Sequence, residues 1–148
     1  MITGSRRQLR RDDGGSASVE LVIVVPVLVI MLGLMIAGGR LWFARTTVVE
    51  AAQSAARAAS LERSAGAASQ AGSAAARRVL TTDGLDCRAL DIGVDTSAFG
   101  VPVGTLATVR STVTCTVPFA DLSVPGMPGR MTVRSQGAAA LDTYRARS

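Results

Sequence analysis

LVIVVPVLVIMLGLMIAGG, residues 21–39, runs for 19 positions without a charge. As an α-helix rising about 1.5 Å per residue it spans nearly 30 Å, the hydrocarbon thickness of a bilayer. We read it as a membrane span. The competing reading is a buried core helix, but no other segment is large and apolar enough to cover such an element on every side. Pro26 falls one to two turns into the helix and is placed to bend it. Gly33 and Ala37, four residues apart, offer a small-xxx-small contact to another helix.

Charge flanking the run is uneven. Arg6, Arg7, Arg10 and Arg11 precede it, and Arg40 is the first charge after it. The positive-inside bias therefore puts residues 1–15 in the cytoplasm and the carboxyl side across the membrane, although Arg40 and Arg45 follow closely on the far side.

The rest of the composition argues against catalysis. The 148 residues are 48% apolar but only 3% aromatic, so the apolar content has been assembled almost without rings. No histidine is present, which removes Ser-His-Asp and Cys-His activation and the commonest metal ligand. All 16 cations are arginine, so there is neither a P-loop lysine nor a Schiff-base lysine. Four of those arginines lie ahead of the span and few aromatics stand near the others, so the net charge of +5 does not imply nucleic-acid binding. The expectation is a non-enzyme with no cofactor and no metal.

Glu20 abuts the span. A charge costs about 2.5–3.5 kcal/mol at the bilayer centre and less at its edge, so such a residue points to a function and a partner. Gly15 precedes Ser16-Ala17-Ser18-Val19-Glu20. Cleavage between Gly15 and Ser16 leaves a new α-amine, with a pKa of about 7.7–8.0, as a counter-ion for Glu20.

At these residues the chain resembles the type IV pilin superfamily, whose precursors carry a short basic leader, a glycine at the cleavage site, glutamate at mature position five and an apolar helix. The string Ser16-Ala17-Ser18-Val19-Glu20-Leu21-Val22-Ile23-Val24-Val25-Pro26, then Gly38-Gly39-Arg40-Leu41-Trp42-Phe43-Ala44-Arg45, resembles the TadE-like minor pseudopilins of tight-adherence (Flp-type) pilus systems. The likeness runs on through Ala51-Ala52-Gln53-Ser54-Ala55-Ala56-Arg57-Ala58-Ala59 and returns at Leu141-Asp142-Thr143-Tyr144-Arg145. Two residues depart from the pattern. Leu21 stands where the major pilins of these systems have tyrosine, and Ser16 where many type IV pilins have phenylalanine. A minor subunit fits better than a major one. The resemblance implies removal of residues 1–15 by a prepilin peptidase and pairing of Glu20 with an amino terminus during assembly. A twin-arginine or general secretory signal competes for the same residues through Ser5-Arg6-Arg7-Gln8-Leu9-Arg10, with cleavage near Ala37-Gly38-Gly39.

Beyond the span, Trp42 and Phe43 are placed as amphipathic rings at the outer interface. Leu41, Ala44, Val48, Ala52, Ala55 and Ala59 then form one helical stripe, opposite Thr46, Glu50, Gln53, Arg57, Ser60 and Ser64. The alanine face suits close helix contact. It serves either a bundled filament shaft or the protein's own head, and the sequence leaves both open. Glycines at 66 and 72 weaken the helix, so a break is expected near Gly66. A second helix is expected from Ala67 to about Leu80, with Arg77 and Arg78 favourably placed against the dipole at its end. Thr82-Asp83-Gly84 reads as a turn.

From there the pattern is that of strands: Ala89 to Val94, Thr105 to Val117, and Met131 to Leu141, with Pro102, Pro118, Pro125 and Pro128 in the loops. A small antiparallel sheet packed on the second helix is the economical outcome. Cys87 and Cys115 are the only cysteines. Outside the cytoplasm a bridge is expected, and closing that loop stabilises the head by about 3.5 kcal/mol; two buried free thiols are the alternative. Asp83, Asp86, Asp91, Asp95, Asp121 and Asp142 match no calcium loop and read as turn or surface residues.

The fold expected is α+β: a cytoplasmic basic leader (1–15), a transmembrane helix (16–40), an extracytoplasmic stem helix (41–64) and a small α+β head (65–148). The function expected is a single-pass protein of the cytoplasmic membrane, a structural subunit that primes, tips or regulates a pilus. Its partners would be a prepilin peptidase, other pilins and pseudopilins, an inner-membrane assembly platform and the lipid bilayer, and not nucleic acid. The alternatives are a membrane scaffold of a secretion or pilus complex that never enters a filament, and a secreted binding domain.

Overall fold

In a computed structural model the residues described are 14–118 and 129–144, with the backbone alone described for 14–20. The leader expected at 1–15 is therefore outside them up to residue 13, as are Asp121, Pro125 and Pro128.

The chain is α+β. A long apolar helix, α1 (Gly14–Ser60), is followed by α2 (Ala65–Thr82), β1 (Ala89–Asp95), a short 3-10 turn at Ser97–Gly100, β2 (Ala107–Pro118) and β3 (Arg130–Leu141). The strands form one antiparallel sheet in the order β1-β2-β3. They coincide with the three expected segments to within two residues at each end, because the period-two pattern is regular: on β2, Val109, Ser111, Val113, Cys115 and Val117 are buried, and the residues between them are not.

Two units divide the fold, one ending at Met35 and one beginning at Ile36. In the first, α1 continues uninterrupted around Pro26. Every large apolar side chain from Leu21 to Met35 is exposed, and Val24, the least exposed, still shows 43% of its surface. An apolar surface of that extent is untenable in water and is what lipid requires.

In the second unit, the end of α1 is the spine of the head. Val48, Ala51, Ala52 and Ala55 pack with Ala76 and Leu80 of α2 and with Val113, Cys115, Val117 and Val133 of the sheet. Ala59, Ala68, Ala98, Val109 and Leu141 continue the core beyond them. The sheet thus lies on α1 as well as on α2, and the stripe of alanines is covered by the protein's own head.

The helix boundaries differ from expectation in an instructive way. The break falls at residues 61–64, ahead of Gly66, because the Ser64 hydroxyl accepts the Ala67 N–H at 3.3 Å and caps α2, which leaves Gly66 in its first turn. Ser64 is a cap and not part of the stem's polar stripe. At the other end α2 runs two residues beyond Leu80. No basic residue then lies in its last turn, so the dipole role expected of Arg77 and Arg78 does not hold. Gly84, at φ 68°, closes the helix in a Schellman turn: Leu85 N–H donates to Leu80 O at 2.9 Å and Gly84 N–H to Thr81 O at 3.2 Å.

Candidate functional site

The residues that carry function by sequence fall in three places. The first is the start of α1. Gly15, Ser16 and Glu20 lie in continuous helical backbone from Gly14 onward, and their side chains are outside the described residues.

The second is the span itself. Gly33 faces open space, since a Cβ there would meet nothing within 4 Å, and Ala37 is half-buried. The next residues change chemistry. Trp42 is 73% exposed and Phe43 48%, immediately ahead of the first buried residue, Ala44, which is 2% exposed. The Thr46 hydroxyl donates to the carbonyls of both Phe43, at 2.9 Å, and Trp42, at 3.2 Å, and so absorbs a polar group on the exposed side.

The third is the head, held by three close approaches that leave little freedom. Cys87 and Cys115 form a disulfide, with Cα atoms 5.3 Å apart and a sequence separation of 28. It ties the chain entering β1 to the buried face of β2, where Cys115 is fully covered. Gly72 of α2 lies against α1: a Cβ there would stand 3.1 Å from Ala55 O and 2.9 Å from Val94 Cγ2. Gly137 of β3 lies still closer to α1, and a Cβ there would overlap the Ala52 carbonyl. Sequence reading singled out Gly72 only as a helix breaker and passed over Gly137 and Ser111. A lone glycine within a strand pattern is the signal that would have marked the approach at Gly137.

The outward face of the sheet is polar. Asp91 and Asp95 stand on β1, Arg110 and a ladder of threonines on β2, and Arg130 and Arg134 on β3. Thr116 and Thr132, directly opposed, share a hydroxyl hydrogen bond of 3.1 Å. Asp95 Oδ1 accepts the Ser97 N–H at 3.0 Å. Hydrogen bonds from Ser97, from its side chain first and its backbone second, hold the Asp95 carboxyl below its ordinary pKa, and Arg110 opposite adds to the effect.

The grooves of the head are open and shallow. The one lined by Arg40, Phe43, Ala44, Leu85, Asp86 and Val117 has a volume of about 400 Å³. No group of three or more histidine, cysteine, aspartate or glutamate side chains able to hold a metal ion occurs among the described residues. What the arrangement provides is surface: an exposed apolar helix and a disulfide-tied head.

Residues 15–57 match the family model of TadE-like proteins. No curated protein and no solved structure matches the chain. The matched segment begins at the glycine of the proposed cleavage site and takes in Glu20, the span and most of the helix against which the sheet is packed. It associates the chain with tight-adherence pili, and the apolar helix fits a single-pass membrane protein.

Proposed function

We propose that this protein is a minor pseudopilin, a non-enzymatic subunit of a tight-adherence pilus. The observation that carries the reading is the family match, which starts at Gly15 and contains Glu20 five residues later. A prepilin peptidase cuts between Gly15 and Ser16 while residues 1–15 face the cytoplasm. The mature helix waits in the cytoplasmic membrane with its head on the outer side, where a disulfide persists. An assembly platform then draws it from the bilayer, and Glu20 pairs with the α-amine of a neighbouring pilin. The cost of a carboxylate at the edge of an apolar helix is offset only when that cation is present, which makes the contact selective for a correctly docked neighbour.

The covered alanine stripe refines this picture. Ala52, Ala55 and Ala59 are fully buried in the head, so contacts between helices in the filament fall to the exposed residues of the span, around Gly33. The same self-contained head favours a second reading, in which the protein stays in the membrane as a scaffold of the assembly complex and never enters a filament.

Glu20→Ala separates the two. Under the first reading the leader is still removed, but the protein disappears from sheared pili and piliation falls. Wild-type piliation in the variant, with the unsubstituted protein itself confined to the membrane fraction and missing from sheared pili, supports the scaffold.

A further inference from the structure

β1 and β3 are the two edges of the sheet, and each pairs on one side only, with β2, among the described residues. They carry opposite charge on the same outward face. β1 presents Asp91 and Asp95, and β3 presents Arg130 and Arg134. Within each pair the two charges are four residues apart. None of Asp91, Arg130 and Arg134 takes part in an ion pair within the described residues.

We propose that the β3 edge of one copy of this chain receives the β1 edge of a second copy, with Arg130 opposite Asp91 and Arg134 opposite Asp95. Both β1 and β3 run antiparallel to β2, so they run parallel to each other. Copies oriented alike in one membrane therefore bring β3 and the next β1 together as parallel neighbours. A single register aligns both charge pairs, because the spacing on the two strands is equal. The alternatives are disfavoured by the same side chains. A two-fold pairing of β3 with β3 sets arginine against arginine, and one of β1 with β1 sets aspartate against aspartate; like charges directly opposed weaken a strand pair. An exposed edge is a template for any strand that meets it, and this charge pattern restricts the template to one partner and one direction. The contact is head-to-tail, so it does not close on itself and propagates along a row of copies. Neither leader cleavage nor filament entry is required for it.

The test is cysteine cross-linking of the full-length protein in its own membranes, with the Cys87–Cys115 bridge verified intact by mass. In the charge-matched register Gly93 faces Thr132 of the neighbouring copy, and both side chains point outward with open space at Gly93. Mild oxidation of the Gly93→Cys, Thr132→Cys double variant is expected to give a ladder of dimers, trimers and longer species, while each single variant stays monomeric. Reversing β1 with Asp91→Arg and Asp95→Arg is expected to reduce the ladder at least tenfold. Adding Arg130→Asp and Arg134→Asp on β3 is expected to restore it. Absence of the ladder from double variants with the native bridge, dimers from either single variant, or cross-links only to a different protein would each overturn the proposal.

Discussion

The Ser111 hydroxyl donates a 2.6 Å hydrogen bond to the carbonyl oxygen of Ala52, joining the middle of β2 to the middle of the helical spine across a buried interface. Gly137, the residue paired with Ser111 on β3, is pressed against the same carbonyl. One point on α1 is thus read by two adjacent strands: by a donor on one, and by the absence of a side chain on the other. This fixes how far the sheet stands from the helix, and with it which alanines are covered.

The two substitutions at this point should differ in size. Ser111→Ala removes one bond and leaves Ala52 its helical partner, so a loss of about 1 kcal/mol is expected. Gly137→Ala forces the sheet away from α1 and should cost about 3 kcal/mol. Gly72→Ala should fall well short of that: its tightest neighbour is the end of the Val94 side chain, and the gain of about 1 kcal/mol in helix propensity works against the crowding. Denaturant unfolding of the three variants checks the order, and equal losses would mean that the approach at Gly137 is not a constraint.

Removing the bridge should destabilise the head by about 3.5 kcal/mol. Cys87→Ala together with Cys115→Ala measures this by thermal unfolding without leaving a stray thiol. In the native protein without reductant neither cysteine should react with an alkylating agent, and modification of both would refute the bridge.

Asp95 should titrate below the ordinary carboxylate range. A depressed pKa means that its contribution to stability is present above the unfolded-state value and is lost as pH falls through the lower, folded-state value. The effect is small because the carboxylate is exposed. Titration followed by NMR should show the Asp95 midpoint rising toward the ordinary value in Ser97→Ala, which removes the largest of the causes; an unchanged midpoint would assign the depression to the Ser97 backbone N–H, which the substitution leaves in place, and to Arg110.

Much of this architecture was legible in the sequence because it rests on periodicity. The span is a matter of length and absence of charge, the strands of the β-pattern in residues 89–94, 105–117 and 131–141, and the alanine stripe of a three-to-four repeat. What covered that stripe was not legible, since alanine at helical spacing suits a neighbouring subunit as well as the same chain. The answer lay in Gly137 and Ser111, residues whose meaning depends on an element about 60 to 85 positions earlier in the sequence. The ends of α2 were misplaced for a local reason. A serine cap at Ser64 and a left-handed glycine at Gly84 outweighed the propensity cost of Gly66.

The central claim is that the chain matures as a pilin does, with a new amino terminus four residues ahead of Glu20. The most direct measurement is the intact mass and amino-terminal sequence of the protein extracted from membranes of cells that carry an active prepilin peptidase. The account predicts a chain beginning at Ser16, and a chain beginning at Met1 when the peptidase is inactivated. A terminus near Gly39, or one at Met1 whether or not the peptidase is active, would contradict it.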